Sequence, residues 1–347
     1  MKNVVSKACF VFFLGILLSI VQGTLEVVSS APITLRFSTH MPARDPIVIS
    51  MVEGLDRIEK KAGGAVKFEK FFDGTLIGVK DSWEELIKGT ADIVNISAHN
   101  SPGAKVLPLH MMLGNAWIGV KDLRTQLKIQ KQLLREFPEL AKEWSAVKIL
   151  SFQGISDINL HSKRKIQALS DVKGMQIRGI GSWPKATLEK LGASLVAMPI
   201  TEVYIALQKG IIDGILLDNS ALLTYRFTEV VPYTILIGGV FPGVNNLMCM
   251  NLNTWKKLPL NVQKIFEETE EWINERYIQL REERMKEAMD FAREKKHQFL
   301  TLPKEELAKL HDLLREEAFE EAKKLDAKGL PGIKVMQRLY ELIRQTK

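Results

Sequence analysis

The chain alternates between short segments with the apolar spacing of strands and longer segments with the spacing of helices. Ile33 to Ser38 alternates as a strand does, and Ile47 to Lys61 repeats apolar residues at helical intervals. The same succession continues with a strand at Val66 to Phe72, a helix near Asp81 to Lys88 and a buried-type strand at Ala91 to Ile96. Strands separated by helices of this length predict a parallel sheet covered on both faces, with ligands bound beyond the carboxyl ends of the strands.

The middle of the chain predicts a passage between two lobes. Asp122 to Trp144 has helical spacing and forms either one helix or a pair. Val147 to Phe152 is a predicted strand, and Asn159 to Ser162 continues extended after an interruption. A broken strand of this kind indicates a crossing to a second lobe, and Asn246 to Leu252 predicts the return. Two crossings predict two lobes around a cleft that can close on a small ligand.

The second lobe is expected to contain further elements between these crossings. Thr201 is a predicted N-cap for a helix from Glu202 to Lys209. Tyr225 to Val231 is a predicted helix and Tyr233 to Ile237 a predicted strand.

The longest predicted element runs from Leu260 to about Gln298. At about 1.5 Å per residue, such a helix is longer than one lobe is wide, so it is expected to span both. A dimeric coiled coil is the alternative, but a sustained heptad is not visible. Two shorter helices, Lys304 to Lys324 and Lys334 to Thr346, complete the chain.

The stretch from Asp171 to Gly214 carries the candidate chemistry. Met175 to Arg178 alternates as a strand and then breaks at Gly179 and Gly181. Ser182 is a predicted N-cap for the next helix, so Arg178 is expected to lie beside unpaired helix N–H groups. A guanidinium in that position favours a carboxylate. The alternative is that Arg178 forms a surface or inter-lobe salt bridge.

The first thirty residues have the pattern of a secretory signal. Lys2 and Lys7 precede an apolar run from Ala8 to Val21, and small residues follow. Cleavage is expected near Gly23 or near Ser30, and an uncleaved signal anchor is the alternative. The protein is therefore expected to be periplasmic or otherwise extracytoplasmic.

Composition excludes several other classes of protein. Hydrophobic residues make up 46% and charged residues 26%, and the net charge of +7 is spread along the chain, so nucleic acid is not an expected partner. Cys249 is the single cysteine after the predicted signal, so an intrachain disulfide is not expected. GxSxG, CxxC and P-loop motifs are absent from the sequence, and Gly179-Ile180-Gly181 lacks the third glycine of a dinucleotide fingerprint. These patterns predict no enzyme, no cofactor and no metal.

Three segments carry a resemblance to a known family: LSDVKGMQIRGIG, LGASLVAMPITEVYIALQKGIIDG and MNLNTWKKLPLNVQKIFEE. They resemble the solute-binding proteins of TRAP (tripartite ATP-independent periplasmic) transporters, the DctP-like family. The resemblance implies an α/β fold of the two-lobed periplasmic-binding-protein type (type II-like), with hinge strands and a long helix spanning both lobes. It also implies that Arg178 binds the carboxylate of an organic acid, and that a monomeric protein delivers this ligand to TRAP membrane permease subunits.

Together these patterns predict the following boundaries. Residues 1–30 are the signal peptide, 31–153 with 245–258 the first lobe, 154–244 the second lobe, 259–298 the long helix, and 299–347 C-terminal helices that pack on the lobes.

Two departures from the family pattern bear on the ligand. Ile158 stands where many relatives that bind sugar acids or dicarboxylates carry a second arginine, and Ile215 to Leu217 stands where they often carry Gln-Glu-Asn. A more apolar cleft would leave the oxygens of a polar ligand without partners, at about 1–3 kcal/mol each. We therefore expect a monocarboxylate with an apolar or aromatic body.

Other candidate ligand residues accompany Arg178. Trp183 and Phe241 are candidates to stack on the ligand, or else are ordinary packing residues. His40 and Ser97 match cleft positions of relatives, although a lone histidine is more often a structural hydrogen-bonding residue. Asn219 is a weaker candidate because the asparagine of the family does not align with it directly. A sensory protein of the same fold, or a binding protein for an ATP-driven (ABC) importer, is the alternative function.

Overall fold

The computed structural model describes residues 31–155, 157–179 and 184–346. The strands of this part of the chain are β1 (Ile33–Ser38), β2 (Val66–Phe71), β3 (Ile93–Ser97), β4 (Trp117–Ile118), β5 (Val147–Gln153), β6 (Asn159–Ser162), β7 (Gln176–Arg178), β8 (Ser194–Val196), β9 (Gly214–Leu217), β10 (Tyr233–Leu236), β11 (Val240–Phe241), β12 (Asn246–Asn251) and β13 (Gln298–Thr301). Its α-helices are α1 (Pro46–Lys61), α2 (Ser82–Lys88), α3 (Pro108–Leu113), α4 (Leu123–Glu136), α5 (Pro138–Glu143), α6 (Lys185–Lys190), α7 (Ile200–Lys209), α8 (Ala221–Thr224), α9 (Leu252–Lys257), α10 (Leu260–Glu294), α11 (Lys304–Asp326) and α12 (Gly332–Gln345).

The first sheet has the strand order β2-β1-β3-β12-β5. The strands β2, β1 and β3 are parallel, as their alternation with helices predicts. Strand β12 is antiparallel to β3 and to β5, with Asn246 opposite Ser97 on one side and opposite Gln153 on the other. The chain therefore returns to this sheet at β12, where the sequence predicts it, and β12 lies between β3 and β5.

The second sheet has the strand order β13-β10-β6-β9-β7-β8. Strands β9, β7 and β8 are parallel, and Arg178 at the end of β7 is in register with Ile215 of β9 and Val196 of β8. Strand β6 runs antiparallel to both of its neighbours, β9 and β10. The carboxyl ends of β7 and β9 therefore lie at one edge of the sheet, and Arg178 lies on that edge.

Extended segments connect the two sheets, as the sequence predicts. The chain leaves the first sheet after β5 and enters the second at β6, and it returns through β11 to β12. We call the segments between β5 and β6 and between β10 and β12 the crossing segments. They are hydrogen-bonded to each other, because Ile158 N–H donates to the Val240 carbonyl oxygen over 2.8 Å. Strand β11 also pairs with β4, with Phe241 opposite Trp117.

Helix α10 contacts elements of both sheets: α1 and β5 on the first and α8 on the second. It approaches α1 closely at Gly54, where a Cβ atom would lie 2.3 Å from the Ile273 side chain. A side chain at this point of α1 would overlap with Ile273 of α10, so glycine fits here although it is a poor helix former. A continuous cluster of buried apolar side chains includes residues of both sheets, and the chain from Pro32 onward forms one compact unit.

The structure corrects the predicted end of the long helix. Helix α10 ends at Glu294, and not near Gln298. Lys296 has a φ of 60°, in the left-handed region, and His297 N–H bonds to the Ala292 carbonyl oxygen over 3.0 Å. The chain therefore turns out of the helix and forms β13, which pairs with β10.

Two local predictions in the second lobe are wrong. The predicted helix from Tyr225 to Val231 is replaced by the short helix α8, which Tyr225 ends, and by a 3₁₀ turn at Phe227–Glu229. Arg226 between them has a φ of 57°, which interrupts helical geometry. Helix α7 begins at Ile200 after Pro199, so Thr201 lies inside the helix and is not its cap.

Candidate functional site

Arg178 is a half-buried cation at the edge of the second sheet. Its Nε donates to the Met198 carbonyl oxygen over 3.3 Å, and no Asp or Glu of the described ranges lies within salt-bridge distance of it. Burial lowers the pKa of the guanidinium. The residue nevertheless remains protonated at neutral pH, since the ordinary pKa of arginine is above about 12. Arg178 thus presents a positive charge without a carboxylate partner in this part of the chain.

The helix that follows Arg178 does not contribute the open N-terminus that the sequence predicts. Helix α6 begins at Lys185, and Glu317 of α11 accepts hydrogen bonds from the Ala186 and Thr187 N–H groups over 3.2 and 2.9 Å. The Thr187 hydroxyl also donates to Glu317 over 2.7 Å. The prediction that these N–H groups await a ligand anion is wrong, because a carboxylate of the protein already occupies them. Ser182, the predicted cap, lies outside the described residues.

A buried ion pair lies at the end of the strand next to β7. Asp218, directly after β9, is paired with Arg281 of α10, with 3.1 Å between Oδ1 and Nη2. Burial opposes ionisation of Asp218, but the Arg281 charge and the hydrogen bonds from Ser220 outweigh it and hold the pKa of this carboxyl below its usual range. Asp218 and Arg281 are therefore both charged.

Two more carboxylates lie within electrostatic range of this ion pair. Asp45 caps α1 on the first sheet by accepting from Ile47 N–H over 2.8 Å; burial raises its pKa, the charge of Arg281 lowers it and that of Asp218 raises it. Burial, followed by the charge of Asp218, raises the pKa of Asp157 on the first crossing segment. Two further acidic side chains thus lie near the Asp218–Arg281 pair.

A cavity of about 240 Å³ adjoins this group. Its lining includes Asp157, Arg281 and Met285, together with Phe241 of β11. The predicted stacking residue Phe241 is only 5% exposed, so most of its side chain packs inside the protein although it borders the cavity. Its contact with a ligand stays a prediction.

His40 and Ser97 follow or end neighbouring strands of the first sheet. Burial lowers the pKa of His40, so its imidazole is neutral at pH 7, and its buried Nδ1 has no hydrogen-bond partner among the residues described. Ser97 is 3% exposed, and its hydroxyl accepts from Asn100 Nδ2 over 2.8 Å and from Asn245 Nδ2 over 3.3 Å. His40 thus has hydrogen-bonding capacity left, whereas Ser97 takes part in a structural network.

Asn219 and Trp183 complete the predicted set. Asn219 is 4% exposed, and its Oδ1 accepts from Asn159 Nδ2 of β6 over 3.1 Å. This contact ties the end of β9 to β6 and favours a structural role. Trp183 lies outside the described residues. The structure thus places Arg178 and Asn219 at the second sheet, His40 and Ser97 at the first, and Phe241 beside the crossing segments.

Sequence reasoning missed Tyr225, Arg281, Asp45 and Asp157. Tyr225 is within electrostatic range of Arg178, Arg281, Asp45 and Asp218, and so it connects the cation of β7 with the charges near α1 and α10. One signal could have found Arg281: it follows the buried Tyr277 by four residues, so a cation lies on the apolar face of α10. The other three have the pattern of ordinary surface or capping residues.

The structure describes no helix long and apolar enough to cross a membrane. Within the same ranges, His, Cys, Asp and Glu side chains do not form a group of three that could hold a metal ion.

The chain is similar in sequence to several bacterial proteins. It is 29% identical to the uncharacterized protein YiiZ of Salmonella typhimurium over 61% of this chain and 64% of the relative. It is 31% identical to a monocarboxylate 2-oxoacid-binding periplasmic protein of Nostoc over 30% of this chain and 29% of the relative. These alignments cover less than two thirds of each curated relative.

Solved structures are similar over nearly the whole chain. A TRAP periplasmic solute-binding protein of Desulfovibrio salexigens, in an open complex, matches with a TM-score of 0.82 and 25% identity, covering 91% of this chain and 97% of that one. A TRAP solute-binding protein of Rhodoferax ferrireducens with benzoate matches with a TM-score of 0.76 and 20% identity over 90% and 98%. One of Sulfitobacter with bound β-D-galacturonate matches with a TM-score of 0.68 and 18% identity over 90% and 99%. The predicted two-lobed periplasmic-binding fold is thereby confirmed.

The profile of family 7 of the bacterial extracellular solute-binding proteins (DctP) matches residues 37–324. This range contains the second sheet, the first sheet except most of β1, the crossing segments, Arg178 and the whole of α10. The chain therefore belongs to this family, the solute-binding proteins of TRAP transporters.

Proposed function

We propose that this protein is an extracytoplasmic solute-binding protein that captures a small monocarboxylate with an apolar or aromatic body and delivers it to a TRAP-type permease. The carboxylate binds to Arg178, and the lobes close around the ligand by movement at the crossing segments. Closure is favoured only as far as the ligand contacts both lobes. A monomer in the periplasm, secreted by the signal in residues 1–30, fulfils this role.

The observation that carries the proposal is the half-buried Arg178 guanidinium at the carboxyl edge of β7, with no acidic partner in the described ranges. A partly desolvated cation gains more from an anion than an exposed one does, because water screens it less. Two parallel charge-assisted hydrogen bonds to one carboxylate match the geometry of a guanidinium.

The acidic side chains near Tyr225 favour a ligand with a single carboxylate. Asp45 and Asp157 lie near Asp218, which is already paired with Arg281, so a second ligand carboxylate on that side meets repulsion. The apolar residues Ile158 and Ile215 are buried and offer no hydrogen bonds from their side chains. Benzoate in the Rhodoferax protein and 2-oxoacid binding by the Nostoc protein fit this class, whereas the galacturonate of the Sulfitobacter protein carries more polar groups.

A thermal-shift screen of the purified protein against carboxylic acids tests the proposal. The panel contains benzoate, phenylacetate, 3-hydroxybenzoate, pyruvate, 2-oxoisovalerate, butyrate, succinate and glucuronate. We expect a monocarboxylate to raise the melting temperature most, and calorimetry then to give its Kd. Arg178→Ala should weaken this binding by at least about 100-fold, since each of the two hydrogen bonds to a charged group contributes about 1.5–3 kcal/mol.

Arg164→Ala is the matched control, because Arg164 is a half-exposed arginine of the same lobe that lies 3.6 Å from Asp213. It should leave Kd unchanged. Unaltered binding in Arg178→Ala would remove the proposal, as would a panel in which no acid binds. Uptake of the radiolabelled acid by cells with and without this protein distinguishes transport from sensing.

A further inference from the structure

Tyr225 lies at the same edge of the second sheet as Arg178. Strands β7 and β9 are adjacent and parallel, with Arg178 in register with Ile215. Strand β9 ends at Leu217, and the short helix α8 leads directly to Tyr225. Loops that follow adjacent parallel strands emerge on the same side of a sheet, so the topology places Tyr225 on the side of Arg178. Tyr225 is within electrostatic range of the Arg178 guanidinium.

The Tyr225 side chain is exposed although its ring is well supported. It is 38% exposed, and its ring stacks on Phe227 with 5.4 Å between centroids and 26° between planes. Phe227 is fully buried and so holds the Tyr225 ring in place. The Tyr225 hydroxyl has no hydrogen-bond partner in the described part of the chain, whereas that of Tyr204 donates to Glu229 over 2.8 Å.

Burial and the surrounding charges determine the protonation state of the Tyr225 hydroxyl. Burial raises its pKa most, the carboxylates of Asp218 and Asp45 raise it further, and the cations Arg178 and Arg281 lower it. The hydroxyl is therefore protonated at neutral pH and is a donor. The neighbouring carboxylates already have donors: Asp218 has Arg281 and Ser220, and Asp45 has the Ile47 N–H group.

We propose that Tyr225 is a second ligand-binding residue, whose hydroxyl donates a hydrogen bond to the same carboxylate that Arg178 holds. A carboxylate accepts at two oxygens with about four lone-pair sites, so a guanidinium and a phenol can serve it together. The exposed ring face, held by Phe227, borders the apolar body of the ligand. The inference rests on the proposed function, since it requires a carboxylate at Arg178.

Tyr225→Phe tests the inference, because it removes the hydroxyl and keeps the ring and its stacking on Phe227. Calorimetry uses whichever acid of the panel named above binds most tightly to the unchanged protein. We expect Kd to rise about tenfold in Tyr225→Phe and to stay within twofold in the control Tyr204→Phe. The melting temperature without ligand should be the same in all three proteins, since neither hydroxyl is buried in the core.

A double-mutant cycle with Arg178→Ala separates the two proposals. If both side chains hold one carboxylate, the loss from Tyr225→Phe should shrink to less than threefold once Arg178 is absent. A Kd within twofold of the original in Tyr225→Phe, with Arg178→Ala still defective, would overturn the role of Tyr225 alone. Normal binding in Arg178→Ala, or no binding of any acid, would overturn the proposed function and this inference with it.

Discussion

Arg281 in the middle of α10 and Asp218 at the end of β9 form an ion pair with 3.1 Å between Nη2 and Oδ1, and their side chains are only 14% and 10% exposed. The pair joins the long helix to the edge of the sheet that carries Arg178. Its charges are also within electrostatic range of Asp45, at the start of α1, a helix that packs on the first sheet. Charged side chains of the second sheet, of α10 and of the start of α1 therefore lie within electrostatic range of one another.

Removal of the Arg281 cation should be costly. Arg281→Met leaves Asp218 and Asp45 without their common counter-charge, so we expect the free energy of unfolding to fall by about 3–5 kcal/mol. Urea unfolding measures this change. Lys286→Met, an exposed position of the same helix, should cost less than about 0.5 kcal/mol. Equal stabilities of the two variants would contradict the role of Arg281.

Glu317 should hold the start of α6 in place. Its carboxylate accepts from the Ala186 and Thr187 N–H groups and from the Thr187 hydroxyl. Glu317→Ala leaves these donors without their partner, so we expect a loss of about 1–3 kcal/mol in urea unfolding. Its neighbour Glu316, which pairs with Lys190 on the surface, is the control, and Glu316→Ala should cost at most about 1 kcal/mol. A cost for Glu317→Ala no greater than that of the control would contradict this role.

The negative charge near α1 should set the preference for monocarboxylates. Asp45→Asn removes one charge and keeps the cap of α1, because asparagine caps helices about as well as aspartate. At an effective dielectric constant of about 20, two charges about 8 Å apart interact by about 2 kcal/mol. We therefore expect the affinity ratio between a monocarboxylate and its dicarboxylate counterpart to fall by up to roughly 30-fold. Calorimetry with benzoate and isophthalate, or with butyrate and succinate, measures this ratio.

Asp171→Asn is the control for this experiment. Asp171 also accepts backbone N–H groups, from Gln167 over 2.8 Å and from Ala168 over 3.0 Å, but it is exposed. Its variant should leave the ratio unchanged. A ratio that Asp45→Asn does not alter would show that apolar lining alone determines the preference.

Two buried histidines, His161 in β6 and His297 just before β13, should make the free energy of unfolding depend on pH. Thr234 Oγ1 lies 2.8 Å from His161 Nδ1 and 2.7 Å from His297 Nε2. Burial lowers the pKa of each imidazole to about 4, against about 6.5 in an unfolded chain. Their contribution to stability is therefore complete above about pH 6.5 and is lost as the pH falls toward 4.

His297→Asn removes one of the two imidazoles whose protonation destabilises the folded state. Between pH 6.5 and 5, the slope of unfolding free energy against pH should become shallower by up to about 1.4 kcal/mol per pH unit. Burial raises the pKa of Glu143 to about 7, which stabilises the protein as the pH falls, so the test is the difference between variant and original and not the absolute slope. Identical slopes in urea titrations of the two proteins would contradict the prediction.

The sequence alone was sufficient where local spacing decides the structure. The elements β1, α1, β2, α2 and β3 form where apolar periodicity predicts them, because each buries one face or stripe against a sheet. The crossing out of the first sheet and the return at β12 were visible as extended segments between helices. Arg178 was recognisable because a strand, a glycine break and a helix follow one another within a few residues.

Tertiary structure alone decided which charges meet. Glu317 and Arg281 lie on helices whose many charges have the pattern of a solvated face, and only the folded chain places one at α6 and the other at Asp218. Strand β13 was missed because its partner β10 lies far away in sequence and supplies the pairing that its four residues cannot specify. Periodicity determines which face of an element is buried, whereas the partner of a polar group depends on the packing of segments distant in sequence.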